Sequence, residues 1–360
     1  MRILEVIQSL GSGGAERLVV DLCNEFAKTQ DVYLLILKDA EHFYMPQVAN
    51  NVKIIEAKMP IGGSIKQLIS CCKYIKKINP DIIHFHSRAR YTILLANILY
   101  GRKYKFYMTI HNDVFKSYKS GLSGLQVKMS ALLGHTKFIT ISPTNYEQFK
   151  QVYPKYKQTM IRNGRALPKD SIENANVEYE VNSYKNNCNT LVFLHVARCQ
   201  EVKNQHLLIK SINNVIKKGE NITLLIIGTG FDSKLGEDLK SISCSNIHFL
   251  GTRENVYDYM KYSDAFLLSS WQEGMPMTII EAILSGIPII STPVCGAIDA
   301  IIDNTNGLIC TDFTEKSYTE TLLKGIKEIN KLKSNAKINA DRSPWSIKSC
   351  AESHLKWFVM

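Results

Sequence analysis

Residues 265–291 have the sequence AFLLSSWQEGMPMTIIEAILSGIPIIS. Short apolar runs at 265–268 and 287–291 lie on either side of a segment with helical spacing, which is typical of a β–α–β unit. Pro276 suits the first turn of the helix, where a missing N–H costs nothing, and Gly286 suits its end. Consecutive units of this kind form a parallel sheet covered by helices.

The same alternation extends in both directions along the chain. Strands are predicted at 3–7, 32–37, 82–85, 106–110 and 138–141, and again at 191–196, 223–227, 247–250, 265–268 and 287–291. Residues 171–189 interrupt the pattern, because they are polar and contain few aliphatic side chains. We therefore predict an α/β protein with one domain at 1–170, a polar linker at 171–189 and a second domain at 190–344.

Composition excludes several classes of protein. Apolar residues make up 45% and charged residues 21% of the 360 positions, which is ordinary for a soluble globular chain. No apolar run approaches the length of a membrane-spanning helix, and Glu5 stands where a signal peptide needs apolar residues. The nine cysteines are irregularly spaced without a Cys-x-x-Cys, so neither a disulfide framework nor a zinc site is indicated. We expect a cytoplasmic protein.

The positive charge is concentrated in one half of the chain. Residues 1–170 contain 25 basic and 12 acidic residues, whereas residues 171–360 contain 19 and 21. This asymmetry predicts a polyanionic partner for the first half, or only a solvated basic surface. No zinc finger or basic-aromatic RNA motif accompanies it, so nucleic acid is not the expected partner.

Two glycine-rich turns follow predicted strands. Gly11-Ser12-Gly13-Gly14 precedes the first helix, and Gly228-Thr229-Gly230 follows a strand of the second domain. Either turn would allow the backbone to approach a phosphate, although neither is a complete dinucleotide fingerprint. Because ligands of parallel sheets bind beyond the carboxyl ends of the strands, we expect a site in the cleft between the two domains.

Two carboxylates stand beside the predicted helix of residues 265–291. The free amides of Met277 and Thr278 form an anion site at its N-terminus, with Glu273 just outside and Glu281 about one turn inside. Phosphate binding alone does not require two carboxylates, whereas a nucleotide sugar has hydroxyls on both sides of its diphosphate. The alternatives are a helix cap for Glu273 and a solvated position for Glu281.

Glu273 and Glu281, within EGMPMTIIEA, resemble the signature of retaining nucleotide-sugar glycosyltransferases of family 4, which have the GT-B fold of two Rossmann-like domains facing across a cleft. Further segments resemble the family in order and spacing: GGAER at 13–17, TIHN at 109–112, ISPT at 141–144, RNG at 162–164, HVAR at 195–198, LG at 250–251 and GL at 307–308. The resemblance covers nearly the whole chain. One departure is Lys203-Asn204, where many members have Lys-Gly.

The resemblance implies a basic clamp in the second domain. Arg198 and Lys203 would hold the donor diphosphate and stabilise charge on the departing nucleotide, beside the amides of Met277 and Thr278. On their own, without the resemblance, these two basic residues favour an exposed pair on a loop. GT-B enzymes of this type generally need no metal ion or cofactor, because the clamp replaces it, and no Asp-x-Asp motif is present.

The resemblance also assigns groups to the sugars of the donor. Glu281 would accept hydrogen bonds from the ribose hydroxyls. Glu273, with the amides of Gly274 and Met275, would bind the hydroxyls of the transferred sugar. The nucleotide sugar, expected to be a UDP-sugar, is a co-substrate.

In the first domain the resemblance implies three further site residues. His111 would line the sugar site, with a core or capping role as the alternative, and Gly13 and Gly14 would approach the donor phosphate and the acceptor. His84 and His86 alternate on a strand. No third metal ligand is evident beside them, so we interpret them as cleft-wall residues.

The sequence thus predicts a retaining, hexosyltransferase-type enzyme that adds sugar to a glycan or polyprenyl-diphosphate-linked acceptor in surface polysaccharide biosynthesis. A non-hydrolysing sugar-nucleotide epimerase of GT-B shape and a non-catalytic nucleotide-sugar or membrane-binding module are the alternatives. In the family, a C-terminal helix, here at about 345–360, crosses back to the first domain. Packing on its own domain is the alternative for this helix.

A second amphipathic helix is predicted at 64–78. Its apolar residues recur at three- and four-residue steps, and Lys73, Lys76 and Lys77 lie away from that stripe. Residues 60–105 hold nine basic side chains and one acidic side chain. We therefore expect peripheral attachment to the anionic inner face of the cell membrane, with a solvated helix face as the alternative.

Overall fold

The computed structural model describes residues 1–40, 42–59, 65–86, 89–166, 174–338 and 342–360. Contacts between residues divide the chain into two compact units. The first unit comprises residues 1–166 and 343–360, and the second unit comprises residues 167–342. Each unit contains one sheet with parallel strands joined by helices, so the predicted class of two Rossmann-like domains is confirmed.

The first unit has seven strands in the spatial order β3-β2-β1-β4-β5-β6-β7. Their bounds are β1 Arg2–Ile7, β2 Asp31–Lys38, β3 Lys53–Met59, β4 Ile82–His86, β5 Lys105–Ile110, β6 Lys137–Thr140 and β7 Gln158–Met160. The central strands are continuous buried runs, as expected when helices cover both faces of a parallel sheet. The order reverses between β1 and β4, so the strand ends there form the topological switch point.

Two strands of this sheet were not predicted from the sequence. The edge strand β3 mixes charged and apolar side chains and is largely exposed, so it lacks a buried run. The other edge strand, β7, has only three residues. In both cases the strand is defined by backbone pairing with a neighbour and not by its own hydrophobicity.

Among its described residues, six helices connect the strands of the first unit. Their bounds are α1 Gly14–Phe26, α2 Ile65–Ile78, α3 Ala89–Tyr100, α4 Val114–Ser117, α5 Gly121–Leu132 and α6 Pro143–Val152. The predicted helix at 64–78 is confirmed as α2, with residue 64 outside the described residues. Its apolar stripe is only partly buried: Cys72 and Ile75 pack into the core, whereas Ile65 and Ile69 are exposed.

The second unit has six strands in the order β10-β9-β8-β11-β12-β13. Their bounds are β8 Leu191–Val196, β9 Ile222–Ile227, β10 Ile247–Gly251, β11 Ala265–Leu268, β12 Ile289–Ser291 and β13 Gly307–Ile309. The helices are α7 Asn174–Ser183, α8 Gln205–Lys217, α9 Lys234–Ser241, α10 Val256–Lys261, α11 Met277–Ser285, α12 Cys295–Ala300, α13 Glu315–Lys327 and α14 Ile329–Ile338. The carboxyl ends of β8 and β11, which are neighbours, bring the predicted clamp and carboxylate loops together.

The prediction of a polar linker at 171–189 is wrong for most of that segment. Residues 174–183 form α7, which packs on α10 through the buried side chains of Val177 and Val181. Glu180 accepts hydrogen bonds from the Tyr259 hydroxyl at 2.5 Å and from the Arg253 guanidinium at 3.1 Å. The helix is not evident from the sequence because only two of its side chains are buried, which is too few to produce a helical pattern of apolar residues. Residues 171–173 lie outside the described residues.

The last helix, α15 at Ile347–Val359, packs on the first unit. The fully buried ring of Phe358 contacts Phe26, His84 and Tyr107. The Tyr107 hydroxyl lies 3.2 Å from the Phe358 carbonyl oxygen, and the Lys105 ammonium lies 3.4 Å from the same oxygen. A cation and a hydroxyl therefore meet the negative end of the helix dipole.

Within the described residues, every helix is too short or too polar to cross a bilayer.

Candidate active site

The carboxylate loop connects β11 to α11. Pro276 is the residue before the first helical position, one position earlier than predicted, and Gly286 ends the helix at φ +72°. The first amides of an α-helix have no carbonyl partner within the helix, so Met277 and Thr278 begin α11 with amides suited to an anion. A Cβ on Gly296 of α12 would collide with the Gly274 carbonyl, so this glycine allows α12 to hold the loop closely.

Glu273 is held on the loop by two donors. Its Oε1 accepts a hydrogen bond from Ser270 Oγ at 2.7 Å and one from Lys203 Nζ at 2.6 Å. These donors are side chains and not the first amides of α11, and Pro276 precedes the helix, so the alternative role of Glu273 as a helix cap is wrong. The structure therefore joins two predicted site residues, Lys203 and Glu273, that are 70 positions apart in sequence.

Lys203 ends a short 3-10 turn that follows β8. Its carbonyl accepts from Ser269 Oγ at 2.8 Å, and the Val202 carbonyl accepts from the Trp271 amide at 2.9 Å. These bonds tie the clamp loop to the carboxylate loop. Asn204 has φ +51° and ψ +43°, a left-handed conformation that glycine adopts freely and asparagine tolerates. This backbone requirement explains the departure from Lys-Gly.

Arg198 lies two residues beyond β8 and is exposed. Its carbonyl accepts a hydrogen bond from Gln205 Nε2 at 2.9 Å, which orders the backbone of the clamp loop. Within the described ranges we find no hydrogen bond or ion pair of its guanidinium. Arg198 lies on the same loop after β8 as Lys203. The N–H donors of its guanidinium are therefore available to a ligand.

The turn at Gly228-Thr229-Gly230 supports the clamp loop from β9. The Cys199 amide donates to the Thr229 carbonyl at 2.8 Å. A Cβ on Gly228 would collide with the Ala197 carbonyl, so only glycine permits this close approach. The structural role of these glycines is thus to pack one loop against another.

Glu281 lies on α11 about one turn from its start and is buried. The alternative of a solvated helix residue is therefore wrong. A carboxylate in this position must have polar partners, either from the protein or from a ligand, because an unpaired buried charge is costly.

Gly13 and Gly14 lie where β1 leads into α1. Gly13 precedes the helix and Gly14 is its first residue; the Arg17 amide donates to the Gly13 carbonyl at 3.0 Å. A Cβ on Gly13 would meet only the flexible end of the Glu16 side chain. The N-terminus of α1 is thus a second helix start at the switch point of the first sheet.

His111 directly follows β5 and is only 9% exposed. Its Nε2 lies 3.0 Å from Nδ1 of His86. Burial, with His86, His84 and His354 nearby, lowers the pKa of His111 well below its usual value. The ring is therefore uncharged at neutral pH.

His84 and His86 are completely buried, so their interpretation as cleft-wall residues is wrong. Both bind Glu5, a residue that the sequence analysis missed: His84 Nδ1 lies 3.0 Å from one carboxylate oxygen and His86 Nε2 lies 2.7 Å from the other. Burial alone would raise the pKa of Glu5, but the charge of His84 and the hydrogen bonds from both histidines lower it to about 2. We call Glu5, His84, His86 and His111 the buried histidine network.

The chain matches two family models. The model described as Glycosyltransferase Family 4 matches residues 12–167, and the model described as Glycosyl transferases group 1 matches residues 177–342. The chain is also similar in fold to Anabaena HepE, solved with UDP and glucose, with a TM-score of 0.82, 18% identity and coverage of 100% of this chain and 99% of HepE. The fold class is thus GT-B, and the family matches support a glycosyltransferase similar to family 4.

Two relatives illustrate the range of similarity. An uncharacterized glycosyltransferase of Methanocaldococcus jannaschii is 27% identical over 63% of this chain and 59% of its own length. A Campylobacter jejuni enzyme is 25% identical over 87% of this chain and 86% of its own length. Its name is GalNAc-α-(1→4)-GalNAc-α-(1→3)-diNAcBac-PP-undecaprenol α-1,4-N-acetyl-D-galactosaminyltransferase. The match to the archaeal protein therefore spans less than two thirds of that protein.

Proposed function

We propose that this protein is a glycosyltransferase that moves a sugar from a nucleotide-sugar donor, a UDP-sugar, to a lipid-linked glycan in surface polysaccharide biosynthesis. One observation carries the proposal: the Lys203–Glu273 hydrogen bond at 2.6 Å joins the two loops that the resemblance assigns to donor binding. Support for the acceptor comes from the Campylobacter relative, whose name specifies an undecaprenol-diphosphate-linked glycan.

Each polar group of the second unit has a role in this proposal. Arg198 and Lys203 bind the diphosphate, together with the first amides of α11. Glu273 accepts hydrogen bonds from the sugar hydroxyls and also from the Lys203 ammonium. The position of Lys203 therefore depends on the same carboxylate that contacts the sugar. Glu281 accepts from the ribose hydroxyls. In the first unit, His111 contacts the sugar, and Gly13 with Gly14 approaches the phosphates.

The proposed transfer retains the configuration of the anomeric carbon. The bond between this carbon and the diphosphate oxygen breaks, and the acceptor hydroxyl attacks from the same face. The acceptor proton passes to the departing phosphate oxygen. The cations Arg198 and Lys203 stabilise the charge that develops on the diphosphate, which requires neither a metal ion nor a cofactor.

A thermal-shift screen of nucleotide sugars tests the donor site first. A donor at about one hundred times its Kd stabilises the folded protein by about 2.7 kcal/mol. We expect Glu281→Ala to weaken this stabilisation and Glu273→Ala to lower turnover more than unfolding stability. Wild-type binding and kinetics in both variants would contradict the site, and epimer formation without an acceptor would favour an epimerase instead.

We further propose that the first unit binds the anionic inner face of the cell membrane. The exposed cations of α2 are Lys66, Lys73, Lys76 and Lys77. Between residues 65 and 135 the sequence contains twelve basic and two acidic residues. A second copy of such a surface would be repelled, whereas anionic lipid headgroups are complementary to it.

The exposed face of α5 supports a lipid partner. Leu122, Leu125 and Leu132 are 62%, 52% and 64% exposed, whereas the buried residues of the helix are Gly124, Gln126, Val127 and Ser130. The exposed side of this helix therefore carries three large apolar side chains, unlike that of an ordinary surface helix. We expect the leucines to enter the interfacial region while the cations contact headgroups.

Liposome sedimentation distinguishes the two contributions. Replacing Lys73, Lys76 and Lys77 together with Glu should abolish the increase in binding with anionic lipid. Leu122→Gln with Leu132→Gln should weaken binding at high salt. The matched control is Ile302→Gln with Ile338→Gln, since these side chains of the second unit are similarly exposed. Equal binding of the lysine variant, or equal effects of the two apolar pairs, would exclude the membrane proposal but not the transferase.

A further inference from the structure

The buried histidine network spans three neighbouring strands. Glu5 lies on β1 and is paired in register with His84 on β4, and β4 in turn is paired with β5. His86 follows on the same face of β4, and His111 comes directly after β5. Glu5, His84 and His86 are 0% exposed, so water does not complete their hydrogen bonds.

The chemistry of the carboxylate fixes the direction of each hydrogen bond. An ionised carboxylate only accepts, so both histidine nitrogens that contact Glu5 must carry a proton. These are Nδ1 of His84 and Nε2 of His86, at 3.0 and 2.7 Å. The other nitrogen of His84, Nε2, lies 2.7 Å from Thr109 Oγ1, whose hydroxyl can donate or accept.

The same reasoning on donors and acceptors applies to the hydrogen bond between His86 and His111. Burial and the neighbouring His84 lower the pKa of His86 to about 4, so its ring is neutral and carries one proton. That proton is on Nε2, which leaves Nδ1 as an acceptor. Nε2 of His111 lies 3.0 Å from this acceptor and must donate to it. A neutral His111 then has an unprotonated Nδ1.

We propose that Glu5 is a positioning residue that, through His86, holds His111 in the Nε2–H tautomer and makes its Nδ1 a hydrogen-bond acceptor. This inference rests on the proposed function for its consequence: a hydroxyl of the donor or acceptor sugar donates to His111, and His111 does not donate to it. Glu5 itself contacts no substrate.

A metal ion is a less satisfactory explanation of the network. The ligand atoms of Glu5, His84 and His86 lie within 4.8 Å of one another, but this group contains no fourth His, Cys, Asp or Glu in the described part of the chain. Structural zinc sites have four protein ligands, and three-ligand catalytic sites keep an open position for water or substrate, which residues with 0% exposure do not offer. In contrast, hydrogen bonds account for both oxygens of Glu5 and for all four ring nitrogens of His84 and His86.

Two-bond ¹H–¹⁵N correlation spectra of the full chain, labelled at histidine, test the tautomers without any substrate. Single-histidine variants assign the signals. We expect His86 and His111 to be neutral at pH 7.5, each with a proton on Nε2. A proton on Nδ1 of His111, a cationic His111, or stoichiometric metal in the purified protein would overturn the proposal.

Two matched variants test how the effect reaches His111. His86→Phe removes the acceptor of His111, so we expect its Nε2–H signal to be lost or mixed with the other tautomer. His84→Phe removes an equally buried histidine from the same strand and the same carboxylate, but His86 still donates to Glu5, so His111 should change less than in His86→Phe. Equal effects of the two variants on the His111 tautomer would contradict transmission through His86.

Glu5→Gln tests the origin of the arrangement. A carboxamide accepts from one histidine and donates to the other, so either His84 or His86 must change tautomer. Spectra in which both keep their wild-type tautomers would exclude Glu5 as the positioning residue. Turnover is a separate readout: we expect at least a tenfold loss in His86→Phe and less than threefold in His84→Phe. If no variant and no wild-type protein transfers sugar, the proposed function fails while the spectra still decide the role of Glu5.

Discussion

The two units share a parallel α/β architecture but place their polar groups differently. The first unit buries a carboxylate and two histidines between the strands of its sheet, with His111 and His354 beside them. The sheet core of the second unit is largely apolar apart from His195, and Arg198, Lys203 and Glu273 of its candidate site lie on loops at the strand ends. The first unit therefore holds its polar groups in one orientation by burying them. The second unit instead leaves Arg198, Lys203 and Glu273 accessible to a ligand.

The largest expected effect of a substitution is on the stability of the first unit alone. Phe358→Ala removes a fully buried ring that contacts α1, β4 and β5, so we expect a loss of about 3–5 kcal/mol. Urea unfolding of the full chain, read by pulsed hydrogen exchange, should report the loss in residues 1–166. Phe193→Ala is the matched control, because this equally buried ring belongs to the core of the second unit. Loss of protection in both units for either variant would contradict separate cores.

Next in size is the effect of the clamp on turnover. Arg198→Ala and Lys203→Ala should each lose at least ~10²-fold, which corresponds to about 2.7 kcal/mol, because each removes a preorganised charge. The losses should not add, since both cations act on one diphosphate.

The structure sharpens the clamp prediction, because Lys203 is also bound to Glu273. Lys203→Ala combined with Glu273→Gln should lose less than the sum of the two single effects. Unfolding stability of the second unit should change little, in contrast to Phe358→Ala. Turnover within threefold of wild type in either single clamp variant would rule out the clamp.

The carboxylate loop could be predicted from sequence because its parts are close along the chain. A buried strand, Pro276, the helical spacing of α11 and Gly286 lie within one short segment, so local patterns were sufficient. The resemblance then supplied the residues of the clamp, which the structure joins to this loop through Lys203 and Glu273.

The buried histidine network could not be predicted in the same way. Glu5 and His84 are 79 positions apart, and their contact depends on β1 lying beside β4. Alternating histidines on a strand indicate which side chains share a face, but not which strand is the neighbour. At α5 the leucines are exposed, although the apolar residues of a helix ordinarily face the core.

Lowering the pH should reduce the free energy of unfolding of the first unit more than that of the second unit. Burial, the largest cause, lowers the pKa of His354 to about 3, and burial and His84 lower that of His86 to about 4. Burial also lowers the pKa of His111 well below its usual value. Between these values and the ordinary histidine pKa near 6.5, the unfolded chain binds more protons than the folded chain. The free energy of unfolding therefore falls as pH decreases through this window, by up to about 1.4 kcal/mol per pH unit for each histidine, and is insensitive to these groups above it.

The second unit has fewer such groups. Burial lowers the pKa of His195 to about 4 and that of the half-buried His248 to a lesser extent. Urea titrations at pH 7.5 and 5.0, with exchange labelling at one fixed pH, should show the larger loss in residues 1–166. Equal losses in both units would mean that the buried histidines of the first unit do not control its acid stability.

The smallest expected effect comes from removing one serine helix cap in each unit, and it should be equal in the two units. Ser346 precedes α15 and Ser233 precedes α9, and each accepts from the amide three residues ahead, at 3.2 and 3.3 Å. Each hydroxyl also donates to the carbonyl three residues behind, at 3.0 and 2.7 Å. Since the two caps are the same local interaction, Ser346→Ala and Ser233→Ala should each cost about 1 kcal/mol, in their own unit only. The same urea titration measures both losses in the free energy of unfolding. A much larger loss for Ser346→Ala would indicate that the start of α15 is energetically coupled to the buried histidine network. Equal losses would limit this coupling to Phe358 and the C-terminal end of α15.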